Sequence, residues 1–326
     1  MAPAGYRRDV TLTQLGAFVL VARLGSVRAA AAALGVSEPA VSQALAALRR
    51  QLGDELVVRG EAGMTLPAGG QRLVPVASQM VALGAEAEAA VRAAKGARPR
   101  LRVVADSVLA ELVAPSLFEA FAARAGGIDA TVGVATRAEM AALLTERMAD
   151  VALGPLLTGE DAPGVESRAV MRCEMVVVAA PDHRPAWPPG HGPPVRWLVD
   201  PSGTDPASPP ARLLARWGVG PELTRVFPSQ AAAWAAAAAG QGVAPALAHL
   251  VETEVRRGRL RVVELPDTPS PVHWHVSTLG PDRRSPAAAS LHHFLATPQA
   301  MHLMLRPGEG VPPGRFRPPV YVTIWS

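Results

Sequence analysis

Cysteine is nearly absent. Cys173 is the only one in 326 residues, so the chain has neither a disulfide framework nor a cysteine-built zinc ribbon. Charge is sparse as well, at 18% of residues, with a basic excess of only four and no block of five or six like charges. A pI near 10.1 is compatible with a polyanionic partner without requiring one. Lys95 is the single lysine among 32 basic residues, the rest being arginine. No apolar run reaches membrane length: the long uncharged stretch that includes Ser229 to His249 is divided by Gly240, Gly242 and Pro245. There is no Gly-x-Ser-x-Gly, no phosphate loop, no Gly-x-Gly-x-x-Gly after a strand and no readable acid–base pair, so no catalytic residue, cofactor or metal is assigned. What is abundant is apolar residues, 49%, which excludes disorder and supplies a core for two or three domains at roughly 150 residues each.

Arg7-Arg8 before Leu15–Ala22 imitates a twin-arginine export signal, but Leu12, Leu15, Phe18, Val19 and Ala22 follow helical spacing and Arg23 ends the run. The expectation is a non-exported, cytoplasmic chain whose first helix spans Leu12 to Leu24. Gly25 ends it, and Ser26 caps a second helix with Val27, Ala30, Ala31 and Leu34 inward. After the turn at Gly35-Val36, Ser37 caps a third helix carrying Pro39 in its first turn and burying Val41, Leu45, Leu48 and Leu52. Two helices joined by so short a turn predict a helix-turn-helix, which presents the N-terminal residues of its second helix to a major groove. Gln43 has the chemistry for adenine, Glu38 for cytosine N4, Ser42 for a base or phosphate, and Arg49 and Arg50 for phosphates. For each residue taken singly, a capping or solvated role is the alternative.

Glu55–Arg59 and Met64–Leu66 then flank Gly60-Glu61-Ala62-Gly63, which predicts a hairpin wing with Arg59 beside the backbone or minor groove. The stretch from Ser26 to Arg59 contains a run of alanines, Leu34-Gly35-Val36-Ser37-x-Pro39-Ala40-Val41-Ser42 and Leu52-Gly53-x-x-Leu56. It resembles the DNA-binding domain of LysR-type transcriptional regulators. The likeness continues through Leu66–Gly70 and Leu73-Val74-Pro75. Glu38 stands where that family usually has glutamine and Pro67 where it usually has a capping threonine, which leaves base preference and the start of the next helix open.

Leu73, Val76, Met80, Leu83, Ala87, Ala90 and Ala94 advance by threes and fours, a heptad seam that predicts a partner helix and so a homodimer. Pro75 either kinks this helix or marks its first turn. Beyond a hinge at Gly96–Arg100, strands alternate with helices, which implies a parallel sheet. The expected strands are Leu101–Ala105, Ala130–Val134, Asp150–Leu153 and Glu174–Ala179. A second unit follows the proline-rich stretch Pro181–Pro194, with strands Val195–Val199, Leu223–Phe227 and Leu260–Leu265. Val272–Leu279 and a helix at Pro286–Leu295 return to the first unit.

This arrangement resembles the family's effector domain, similar to periplasmic solute-binding proteins, and the resemblance covers about residues 10 to 300. It implies an α/β fold with an N-terminal all-α winged helix-turn-helix and a two-lobed periplasmic-binding-protein-like effector domain. The expected divisions are 1–66 for DNA binding, 67–97 for the linker helix, 98–304 for the effector domain and 305–326 for a tail. Within the effector domain, lobe I takes about 98–180 plus 270–304 and lobe II about 181–269. Ser107 and Thr136 follow strands, where α/β sheets bind ligands, and each can also cap the following helix; a carboxylate or other anion suits such helix starts. The resemblance implies that these two, with Ser202, Gly203 and Thr204, contact the effector.

Several residues are discounted. His273, His275, His292 and His293 lack zinc spacing, and lone Cys173 reads as a small buried hydrophobe. Trp197, Trp234 and Trp274 line an aromatic pocket or pack in the core. The implied partners are double-stranded DNA with an interrupted palindromic operator, a second copy through the linker helix and a tetramer beyond it, a small-molecule effector, and RNA polymerase, with no membrane. The competing reading is a two-lobed solute-binding or enzymatic domain whose N-terminal helices serve only assembly.

Overall fold

The computed structural model describes residues 10–60, 63–183 and 195–307. Arg7-Arg8, Glu61-Ala62 in the wing turn, positions 184–194 and the tail from 308 lie outside these. The first three helices form as their caps dictate. Helix α1 (Leu12–Leu24) opens on a Thr11–Gln14 capping box and ends at Gly25 in the left-handed region, φ 64°. Ser26 and Ser37 accept the backbone N–H groups of Ala29 and Ala40 at the starts of α2 (Val27–Leu34) and α3 (Glu38–Leu52). Val41, Leu45 and Leu48 are buried as expected, whereas Leu52 is 44% exposed, because the chain turns away at Gly53. Strands β1 (Val58–Gly60) and β2 (Gly63–Thr65) pair antiparallel as the wing.

Helix α4 (Ala68–Ala94) continues for 27 residues with Pro75 in its interior, neither in its first turn nor at its end. Its N-cap, Pro67, makes no side-chain cap bond. The Asp54 carboxylate lies against Gly69 in the first turn of α4, where a negative charge favours the positive end of the helix. Ala77 and Val81 face inward on α1, while Val76, Met80 and Leu83 are exposed on the seam side.

The remaining strands form a mixed sheet rather than a wholly parallel one. Strands β3 (Arg100–Ala105), β4 (Asp129–Val134) and β5 (Val151–Gly154) are mutually parallel around β3. Two long strands then cross the molecule antiparallel: β6 (Val165–Ala179) pairs with β11 (Ser270–Leu279) along its length, and β11 also pairs with β5. The expected strand Glu174–Ala179 is thus only the end of β6, whose earlier half alternates exposed Glu166, Arg168 and Arg172 with inward residues. Strands β7 (Trp197–Val199) and β8 (Thr224–Val226) form a parallel pair, and β9 (Ala244–Leu247) and β10 (Arg261–Val263) flank β6.

Between them lie a π-helical turn (Leu109–Val113) leading into α5 (Ala114–Ala125), then α6 (Arg137–Thr145), α7 (Pro209–Arg216) and α8 (Gln230–Ala238). Helices α9 (Ala248–Arg256), α10 (Pro286–Phe294) and α11 (Pro298–Leu305) complete the described residues. Among the described residues no single helix is long and apolar enough to cross a membrane.

Candidate functional site

Two places gather chemically capable side chains. The first is the outer face of α3. Its apolar positions are fixed against α1 and α2, so Ser37, Glu38, Pro39, Ser42, Gln43 and Arg50 are all exposed, and Arg59 projects from the wing. Arg49 differs from the expectation. Its Nε donates to the Glu55 carbonyl at 2.7 Å and a terminal nitrogen donates to the Val57 carbonyl. Both bonds hold the chain that enters the wing, so Arg49 braces the recognition helix against the wing. Arg49→Ala leaves two carbonyls without this donor and is expected to lower stability by about 1–3 kcal/mol in urea unfolding. It should also raise amide exchange selectively across 55–60.

The second is a cleft of about 480 Å³ between the two lobes. Thr136 and Ser202 line it, but Ser107, Gly203 and Thr204 do not. Thr136 also caps α6 in a capping box with Glu139. Ser107 does not cap: Asp106 accepts the Leu109 N–H at 2.8 Å, and the buried Ser107 hydroxyl donates across the lobes to Asp200. Asp200 also accepts from Ser202 at 2.7 Å. Gly203 packs so closely on Val199 that an added Cβ would sit 2.6 Å from the valine Cβ, and the Thr204 hydroxyl is spent on the Pro201 carbonyl.

The cleft's charged lining was missed in the sequence. Asp106 and Arg137 come from lobe I, each directly beside a residue singled out there; Asp205 and Arg212 come from lobe II, and His273 and His275 from the crossing strand β11. Trp234 and Trp274 contribute aromatic wall, whereas Trp197 is core. Arg137, which lines the cleft, is anchored through Nε to the Leu156 carbonyl at 3.2 Å. Positive charge therefore approaches from both lobes, next to the N-termini of α6 and α7. Cys173 is buried, and burial pushes its thiol up to about 12, so it holds no reactive thiolate.

Asp106 is held up at about 7, chiefly by burial and further by nearby Asp200, against the opposing Leu109 N–H bond. Burial likewise lifts Glu111 to about 7. A folded chain that keeps protons the unfolded chain releases near 4 is more stable below that pH, and it loses the advantage as pH rises to 7. The melting temperature should thus fall between pH 5 and 7.5 through these groups, and Asp106→Asn should flatten the fall. An equal slope in that variant would contradict the assignment.

Comparison with known proteins bears on both places. The model of the bacterial regulatory helix-turn-helix protein, lysR family, matches residues 12–71, and that of the LysR substrate binding domain matches 94–298. The chain is 34% identical to an uncharacterized HTH-type transcriptional regulator of Mycobacterium tuberculosis strain H37Rv, over 97% of this chain and 100% of that protein. It is 27% identical to the HTH-type transcriptional regulator CfxR of Cupriavidus necator, over 96% and 99%. Among solved structures, a hydrogen-peroxide-bound mutant of Corynebacterium glutamicum OxyR shares the fold. The TM-score is 0.52 and the identity 22%, over 92% of this chain and 95% of that one.

Proposed function

From the premise that this chain belongs to the LysR family of bacterial transcriptional regulators, we propose that it reads an interrupted palindrome through α3 and alters transcription when a small anion occupies the inter-lobe cleft. The chain is a DNA-binding transcription factor with an effector-binding domain, not an enzyme. The competing free-standing solute-binding reading falls with the helix-turn-helix match across residues 12–71.

The observation that carries the reading is the division of α3. One face, Val41, Leu45 and Leu48, is locked in the core, and the other offers Glu38, Ser42 and Gln43 to solvent at the helix N-terminus. That is the geometry by which a helix-turn-helix reaches base edges. In this reading Gln43 bonds adenine N6 and N7, Glu38 accepts from cytosine N4, and Ser37, Pro39 and Ser42 set the approach of the helix. Arg50 and Arg59 neutralise phosphates. A second copy, joined along the exposed α4 seam, supplies the other half-site and allows a tetramer. In the cleft, Arg137 and Arg212 with Thr136 and Ser202 fit a carboxylate or similar anion. RNA polymerase is the partner through which transcription would respond, in the cytoplasm.

Binding of the full chain to its own upstream intergenic DNA and to a scrambled duplex, across a salt series, tests this. Selective binding with log K falling linearly against log salt is expected, since each neutralised phosphate releases counterions. Equal binding to both duplexes contradicts the reading.

A further inference from the structure

Helix α6 has its N-terminus at the cleft and its far end packed against α1 of the DNA-reading domain. Ala135, Thr136 and Arg137 line the cleft. Farther along, Met140, Leu144 and Met148 belong to the same core cluster as Leu15, Phe18 and Val19 of α1. The approach is close: a Cβ on Gly16 would lie 3.0 Å from the Met148 methyl. The contact is also specific, because Arg23 at the end of α1 donates its Nε to Glu146 at 2.8 Å. Glu146 is only 1% exposed, and its other oxygen has no partner among the described residues. A buried carboxylate in that setting depends on its single guanidinium. Beside it, Arg147 pairs with Glu86 of α4.

We propose that α6 couples cleft and recognition helix within a single chain, with Arg23–Glu146 as the latch that makes the DNA-reading domain follow lobe I when the lobes move. The proposal rests on the DNA-binding reading above and names its regulation. A packed core is not continuously deformable, so a shift of α6 at the cleft is transmitted to α1 and, through α1, to α3. Dimer rearrangement is then a consequence of re-aimed reading domains. The linkage is reciprocal: DNA must bias α6 as much as the cleft biases DNA affinity.

A thermodynamic cycle tests this without knowledge of the effector. Ser107→Ala removes the cross-lobe bond to Asp200 and so perturbs lobe closure; Arg23→Gln removes the latch. Affinity of the full-length protein for its upstream DNA is read by fluorescence anisotropy. Ser107→Ala should change Kd about fivefold or more in the native background, within the usual range of allosteric coupling. With Arg23→Gln the change should shrink below about twofold, a strongly non-additive cycle. Arg23→Lys should restore it. The same shift in both backgrounds, or none in either, overturns the proposal. Hydrogen exchange on the unmutated chain is a second measurement: adding the DNA should alter protection across 137–149, and unchanged protection while DNA is demonstrably bound overturns the proposal alone. Absence of selective DNA binding by the unmutated chain overturns the DNA reading and this proposal with it.

Discussion

Replacing Met80 and Leu83 together by glutamate is expected to turn the proposed dimer into a monomer that remains folded. Both side chains stand in solvent, at 42% and 63% exposure, with Val76 at 51% one turn earlier and Ala87 after them. A helix that holds a heptad stripe outward on this length wants a partner, and each of Val76, Met80 and Leu83, if fully buried against one, contributes roughly 1.5–3 kcal/mol. The inward seam of Ala77 and Val81 against α1 is untouched by the change, so the fold survives. Four glutamates facing one another across the pair oppose association by like charge. Loss of the second half-site should weaken operator binding by about two orders of magnitude or more, the usual scale of bivalent gain. Sedimentation equilibrium and anisotropy check the two halves separately. A variant that stays dimeric would place the self-association elsewhere.

Gly70→Ala is expected to be the most damaging single methyl in the DNA-reading half. A Cβ there would meet the Leu56 carbonyl oxygen at 1.9 Å and its carbon at 2.9 Å, both backbone atoms. Leu56 cannot yield easily. It is 2% exposed, sits at φ 57° and is tethered by its N–H to Asp54 at 2.8 Å. The overlap must therefore push α4 off the body of the domain, costing about 3 kcal/mol by the scale of overpacked cores. Chemical unfolding measures the loss, and DNA affinity should fall with it because the proposed dimer seam lies on α4. Ala at Gly69 is a useful companion, since there the obstacle is the Asp54 carboxylate, a side chain that can rotate.

The helical N-terminal half was legible because its signals are local: Ser26 and Ser37 cap, Gly25, Gly35 and Gly53 stop, and apolar spacing names the inner faces. The sheet was legible only where strands are short and apolar. The first half of β6 escaped because one of its faces is charged and solvated, and β9 because Pro245 sits inside it. Site residues divide the same way. The exposed face of α3 could be read from periodicity. Arg49 could not, since its partners at Glu55 and Val57 are set by how the wing folds back. The carboxylate nearest the start of α4, Asp54, likewise lies thirteen positions from Pro67 and meets Gly69 only in space. The cleft is the extreme case: Asp106, Arg137, Arg212 and His273 come from four separated segments, and Ser107 is turned to Asp200 by the packing of two lobes.

If Gln43 on α3 reads bases, its removal must cost discrimination at particular base pairs. Affinities of the native chain and Gln43→Ala are compared on the upstream DNA and on duplexes substituted one base pair at a time, across a salt series. Gln43→Ala is expected to lose about 1–3 kcal/mol on the native site and all discrimination at one adenine-bearing position per half-site, with an unchanged salt slope. Uniform weakening on every duplex together with a shallower slope would make Gln43 a backbone contact and contradict base reading.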